Sequence, residues 1–290
     1  MRELSFVKDY RGIDAYRSSF FSLAHAVFGL DFEAWYRQGC WSERYIPYSY
    51  ADDGRVVANV SVNLLELVID GARRSAVQLG TVMTHPDYRG RGLSANLMRR
   101  VLEEYEPQCD FIYLFANHSV QHFYTKFGFR PVEERMFNAD APAKPSDTVL
   151  RKLDMTNEND LKFISTYASE RVPVSRTFGT SDTHGIVMYY CMNVFPHHIY
   201  YLQEEDVIVL YERHDNHIDL YDVIGRTHYS IHNVLAAITE APDERVIFHF
   251  TPDDQDLRLK PTGCDSLLFV KELSGASYPL HVKHPVTSIA

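Results

Sequence analysis

Four cysteines, Cys40, Cys109, Cys191 and Cys264, are all that the 290 residues contain, and no two form a Cys-x-x-Cys pair. That excludes a disulfide scaffold and a cysteine-rich metal ribbon, and dispersed thiols of this kind read as reduced core residues of a cytosolic protein. No uncharged run of 18 apolar residues occurs, and Met1–Asp9 lacks the apolar segment of a secretory signal, so the expectation is a soluble, cytoplasmic protein with no membrane partner. Lysine and arginine never gather into a block, and the formal charge is −10, which excludes nucleic acid as the expected partner. An acidic surface favours encounter with cations instead. Neither Gly-x-x-x-x-Gly-Lys-Ser/Thr nor Gly-x-Gly-x-x-Gly with its downstream acid is present, so the two common nucleotide cradles are missing. His118 and His122 are four apart, as are His228 and His232, and His197 and His198 are adjacent. Without a His-Glu-x-x-His arrangement or a cysteine pair beside them, no metal site is expected.

What the chain does have is an ordinary globular balance, 45% hydrophobic and 23% charged, with nineteen tyrosines and seventeen phenylalanines available for core packing or for lining a pocket. Its length suggests two domains. Residues 9–38 read as one or two helices. Alternation of Val60, Val62 and Leu64 against Asn59, Ser61 and Asn63 marks a half-buried strand from Val56 to Ile69, and Asp70-Gly71 a hairpin turn into a strand ending near Thr84. Leu93, Leu97, Val101 and Tyr105 recur every four residues, as on one face of a helix, and Phe111–Phe115 is continuously apolar, as in a buried strand. Strand, helix and strand make a crossover unit with parallel strands.

Between the second strand and the helix lies Val82-Met83-Thr84-His85-Pro86-Asp87-Tyr88-Arg89-Gly90-Arg91-Gly92-Leu93-Ser94. A glycine-rich turn that opens a helix leaves amides unpaired and aims the positive end of the helix dipole outward, so a phosphate or pyrophosphate is its natural occupant. Its place at the carboxyl end of a strand beside a parallel neighbour is where open α/β sheets bind ligands.

Arg89-Gly90-Arg91-Gly92-Leu93-Ser94 resembles the Arg/Gln-x-x-Gly-x-Gly/Ala signature of the GNAT acetyltransferase superfamily, with Ser94 in the last small position. Asn117-His118-Ser119-Val120-Gln121-His122-Phe123-Tyr124-Thr125-Lys126-Phe127-Gly128-Phe129 is similar to a second block of the same family, with Val120 for alanine. The two blocks cover residues 77–130. The resemblance implies the GNAT fold, an α/β (α+β) class with a mixed, mostly antiparallel sheet and a parallel β-α-β crossover.

It also implies acetyl-CoA as cosubstrate. Val82, Met83 and Thr84 would meet the pantetheine arm, with the Met83 amide polarising the thioester oxygen. Arg89, Gly90, Arg91, Gly92, Leu93 and Ser94 would hold the pyrophosphate, and Asn117 would bond the cofactor or fix a helix start. Tyr124 takes the family's general-acid position, suited to protonating a departing thiolate. The base stays open between Glu66, His85 and the carboxylate of Ala290, the last by analogy with mycobacterial relatives that use their chain terminus.

Asp140–Asp147 is small, polar and proline-containing, a candidate linker. Beyond it strand, turn, strand, helix and strand recur over 206–250, but the place of the glycine cradle reads Ile224-Gly225-Arg226-Thr227-His228-Tyr229-Ser230. The expected organisation is therefore a catalytic GNAT domain at 1–141 and a degenerate GNAT-like domain at 142–290, a layout that resembles the mycobacterial aminoglycoside-acetylating enzymes without their third domain. The expected function is acetyl-CoA-dependent N-acetylation of a primary amine on a small molecule or peptide, by direct attack in a ternary complex. Net acidity tilts the acceptor towards cations, and a homo-oligomer is left open. Two other readings stand beside it: a non-catalytic acyl-CoA sensor, and an aminoacyl transferase of the peptidoglycan-bridge kind.

Overall fold

In the computed structural model, residues 4–140, 148–241, 244–254 and 256–290 are described. The chain begins with β1 (Ser5–Lys8), α1 (Asp14–Phe28) and α2 (Glu33–Arg37), then β2 (Tyr45–Asp52), β3 (Arg55–Ile69) and β4 (Ala72–Thr84). Asp70 and Gly71, both left-handed at φ 48° and 78°, turn the β3–β4 hairpin as the Asp-Gly pair predicts. The helix α3 (Leu93–Tyr105) crosses to β5 (Phe111–Phe115), followed by α4 (Gln121–Thr125), β6 (Arg130–Val132) and β7 (Arg135–Asp140). Then come β8 (Arg151–Lys152), α5 (Glu158–Glu170), β9 (Phe178–Ser181), α6 (His184–Tyr189), β10 (Ile199–Leu202), β11 (Val207–Arg213) and β12 (His217–Gly225). The remainder is α7 (Ile231–Ile238), β13 (Arg245–Phe248), β14 (Lys260–Gly263) and β15 (Leu268–Glu272).

Two mixed sheets result. The first runs β1-β2-β3-β4-β5-β15-β6, with β9 also pairing β3, and the second runs β14-β7-β13-β12-β11-β10-β8. Each has one parallel pair, β4 with β5 in the first and β12 with β13 in the second, bridged by α3 and α7 respectively. Leu97, Val101 and Tyr105 of α3 are buried, as their spacing predicts, together with Met98 and Leu102. Each such aliphatic chain contributes about 1.5–3 kcal/mol when fully buried, and together they cover one face of the first sheet.

The sheets exchange chain. The second takes β7 from before position 141, and the first takes β9 and β15 from after it. The candidate linker, apart from Asp140, lies outside the described residues.

After β15 the last residues run back across both sheets. Glu134 accepts from Lys283 Nζ at 2.9 Å and from the His284 amide at 2.7 Å, all three residues being buried. His284 Nε2 bonds the Tyr113 hydroxyl at 3.0 Å, and the Val286 amide donates to His249 O at 3.0 Å. Thr287 bonds Asp222, which also accepts from the two terminal guanidinium nitrogens of the buried Arg171 at 2.7 and 2.8 Å. Ser288 pairs with Thr180 at 2.8 Å.

This anchoring is pH-sensitive. Burial pushes His284 down to about 4 from an ordinary 6.5. The folded protein holds the ring neutral while the unfolded chain takes up a proton below about 6.5, so the unfolded state binds more protons in that window. Stability from the neutral ring is complete above pH 6.5 and is lost as pH falls towards 4, by about 3 kcal/mol across that span. Urea unfolding of the wild type and His284→Gln at pH 7 and pH 5 checks this: the wild type should lose more stability on acidification than the variant, and equal losses would assign the acid sensitivity elsewhere.

Candidate active site

The parallel contact of β4 with β5 ends early. Ala76–Leu79 pair with Phe111–Leu114, but β4 continues to Thr84 without that partner. Across β3 the register jumps from Ser61 opposite Gly80 to Asn59 opposite Met83, placing Thr81 and Val82 together against Val60. The extra residue is a β-bulge, which bends and twists the strand locally. Thr81 carries the strain at φ 42° and is held by hydrogen bonds: its Oγ1 donates to Ser61 Oγ at 2.6 Å and bonds the Tyr45 hydroxyl at 3.0 Å, while Asn59 Nδ2 donates to its carbonyl at 2.9 Å. The two strands thus open into a wedge.

A cavity of about 990 Å³ occupies it. Gly80–Thr84, Leu114, Phe115 and Asn117 line its centre, Arg89, Gly90 and Gly92–Ala95 one end, and Tyr124 is part of the wall. Gly90 and Gly92 have φ 75° and 73°, conformations that side chains disfavour, and Gly92 caps α3. A Cβ at either position would meet nothing within 4 Å. Among the described residues, Asn96 is the first of α3 whose amide bonds back, to Gly92 O at 3.0 Å, so the amides of Gly90–Ala95 have no main-chain partner. Open space, unpaired amides and a helix N-terminus fit a pyrophosphate. Ser94 bonds Thr84 across the turn at 2.6 Å, which ties the strand end to the helix start.

The other expected residues divide. Val82, Met83, Thr84, Arg89, Gly90, Gly92, Leu93, Ser94, Asn117 and Tyr124 all line the cavity. Arg91 does not: it donates to Asp87 O at 3.0 Å and lies over the Tyr88 ring at 4.6 Å. The Met83 side chain is buried in the core. Of the three proton acceptors considered, Glu66 pairs with Arg73 on the outer part of the hairpin, and His85 contacts Arg55 Nη2 at 2.7 Å. Neither lines the cavity, whereas Ala290 does, with its amide bonded to Gln78 Oε1 and its carbonyl 3.3 Å from where a Gly80 Cβ would stand. Tyr124 is 5% exposed, and burial alone pushes its phenol up to about 12.

Sequence reasoning missed the far wall. Phe28, Phe32, Trp35 and Tyr45 close it on one side, and Ile186, Tyr189 and Tyr190 on the other, the last three from α6 and its π-helical continuation Tyr190–Val194. The aromatic surplus was the available signal, but the residues come from three distant segments. Arg89 is the sole charged side chain among the lining residues, so the chain's acidity is not gathered here.

In the second sheet the turn after β12 is walled off. A Cβ at Gly225 would meet Tyr229 at 2.9 Å, Val207 at 3.0 Å and Thr227 O at 3.2 Å. Arg226 is engaged by Asp206 at 3.1 Å. No helix among the described residues is long and apolar enough to cross a membrane.

A family profile described as an acetyltransferase (GNAT) domain matches residues 14–132. No curated protein matches the chain. Among solved structures, Eis1 from Mycobacterium abscessus is similar at TM-score 0.60 and 14% identity, over 93% of this chain and 74% of that one. A GCN5-related N-acetyltransferase from Kribbella flavida gives 0.55 and 15% over 93% and 72%, and another from Anabaena variabilis 0.55 and 14% over 92% and 73%. These likenesses carry the fold across nearly the whole chain, while the profile falls on the half that holds the cradle. Residues 14–132 thus carry a GNAT acetyltransferase domain, and the rest of the chain shares the fold of these neighbours.

Proposed function

We propose that the protein transfers the acetyl group of acetyl-CoA to a primary amine, by direct attack in a ternary complex formed in the wedge between β4 and β5. The observation that carries this is the left-handed Gly90/Gly92 turn with free amides at one end of a cavity that also includes Tyr124. Acetyl-CoA supplies an activated acyl thioester. In this reading the amides from Gly90 to Ser94, with Arg89, bind its pyrophosphate, and the β4 main chain at Val82–Thr84 aligns the pantetheine arm. A main-chain donor of this β4 segment aimed at the thioester oxygen contributes roughly 3 kcal/mol to the transition state; the Met83 amide itself faces its β3 partner Asn59. The amine forms the new C–N bond and gives up a proton to solvent, since neither Glu66 nor His85 lines the cavity. Tyr124 protonates the sulfur as the C–S bond breaks and regains its proton from solvent. Residues 1–141 carry this chemistry; 142–290 act as the degenerate partner domain, whose α6 walls the acceptor end.

The acceptor we infer is an amine on an apolar or aromatic body. Seven aromatic or aliphatic side chains and no side-chain carboxylate face that end, which suits flat apolar groups and leaves a polycation unpaired. Two measurements test this reading. Calorimetric titration should show one acetyl-CoA site per chain. An amine panel should then give arylalkylamines a kcat/KM at least about tenfold above spermidine, since burying one such ring contributes 1–3 kcal/mol or so. Acetyl-CoA binding without acetylation of any amine would favour the sensor, and a preference for polyamines would overturn the acceptor class alone.

A further inference from the structure

The β11–β12 hairpin of the second sheet carries a cluster that the acetyl-transfer reading does not use. His214, His217 and Asp219 bring one ligand atom each to within 4.8 Å of one another. Asp219 Oδ2 is 3.0 Å from His214 Nε2 and 3.5 Å from His217 Nε2. His217 and Asp219 are alternate residues of β12 and share a face. The turn is closed by the His214 amide donating to His217 O at 2.8 Å, so both imidazoles are fixed to the same small loop. Their rings lie stacked, centroids 4.6 Å apart.

We propose that His214, His217 and Asp219 bind a divalent transition-metal ion of the zinc class, with solvent as fourth ligand.

Three features support a metal over a chance cluster. First, metal–ligand bonds of about 2.0–2.2 Å in a tetrahedral shell put neighbouring ligand atoms about 3.3–3.6 Å apart; the 3.5 Å separation lies in that range and the 3.0 Å one just below it. Second, His217 Nδ1 is 2.7 Å from Asn216 Oδ1. An amide oxygen only accepts, so Nδ1 carries the hydrogen, and in the neutral ring Nε2 turns a lone pair towards the carboxylate of Asp219. A cation between the two relieves that opposition. Third, the other oxygen of Asp219 is already held: His249, just beyond β13, meets Oδ1 at 2.8 Å. This is the outer support that orients a ligating carboxylate. Two imidazoles and one carboxylate select zinc-like ions over calcium or magnesium, which prefer all-oxygen shells.

The site would tie the hairpin tip to β13, and His249 O in turn receives the Val286 amide of the terminal segment. Metal binding should therefore raise the unfolding temperature of the whole chain.

The test is calorimetric titration of the chelator-stripped full-length protein with zinc ion alone at pH 7.5, with thermal unfolding in parallel. One site per chain is expected, with a raised Tm. His214→Ala and His217→Ala, both on the solvent side of the hairpin, should each abolish binding while leaving the circular dichroism spectrum unchanged. His249→Ala should weaken it about 10–100-fold, and Cys264→Ser, at the one cysteine that is not buried, should leave it intact. Binding should weaken on acidification, because a ligating imidazole nitrogen must be free of its proton to hold the metal. Absence of a zinc site in the wild type would overturn the proposal, as would zinc affinity and stoichiometry undiminished in the His214→Ala/His217→Ala double variant.

Discussion

Tyr124→Phe should lower kcat by about 10²–10⁴-fold, the range that a positioned general acid supplies, and should leave acetyl-CoA affinity and Tm unchanged. The substitution removes one oxygen and keeps the ring, which packs against Phe129 and Phe269 at centroid distances of 6.3 and 5.9 Å. Packing and cofactor contacts are thus conserved while the proposed proton donor is lost. The pH profile adds a second signature. With burial holding the phenol near 12, Tyr124 stays protonated through the whole assay range, so no fall in kcat centred near pH 10 should arise from it. Steady-state rates of both proteins from pH 6 to 10.5 decide the matter. An unchanged kcat in the variant would remove Tyr124 from the acid role, whereas a limb near 10 that vanishes with it would keep the role and overturn the raised phenol.

Gly92→Asp should abolish measurable acetyl-CoA binding. A carboxylate about 4 Å from a phosphate at an effective dielectric of 20 costs about 4 kcal/mol, or about a thousandfold in Kd. Strain is the competing explanation, because φ at Gly92 is 73°. Gly92→Asn separates the two: asparagine enters the left-handed region as readily as aspartate but carries no charge, and the open space at that position accepts either side chain. Titration calorimetry should show a modest weakening for asparagine and a collapse for aspartate. Equal losses in both would make the turn's backbone the determinant, and retained binding in both would move the pyrophosphate elsewhere.

How much of this was legible in the sequence depended on distance along the chain. The cradle, α3, β5 and Tyr124 all lie within about fifty consecutive residues, where turn chemistry and apolar spacing are local and the family blocks fix the order. The second mixed sheet was also readable, because β11, β12, α7 and β13 follow each other with short turns. What periodicity could not reveal was partnership. Leu268–Glu272 reads as any short strand would, and nothing local says that it enters the first sheet between β5 and β6. The acceptor wall escaped for the same reason, since Trp35, Tyr45 and Tyr189 meet only after the halves pack. Glu66 was considered as a base from its strand alone, yet its carboxylate is spent on Arg73, outside the cavity. The histidine search looked for helical i, i+4 pairs and passed over His214-Asp215-Asn216-His217-Ile218-Asp219, whose geometry belongs to a hairpin.

The insertion of β15 also sets a timetable for synthesis. Phe111–Phe115 and Arg130–Val132 leave the ribosome with no strand between them, and the one that fills the gap follows well over a hundred residues later. Until then β5 presents an unpaired, apolar edge, the kind that templates pairing with other chains. The acetyltransferase half therefore cannot complete its sheet as it emerges; it must wait until residues 268–272 have been made.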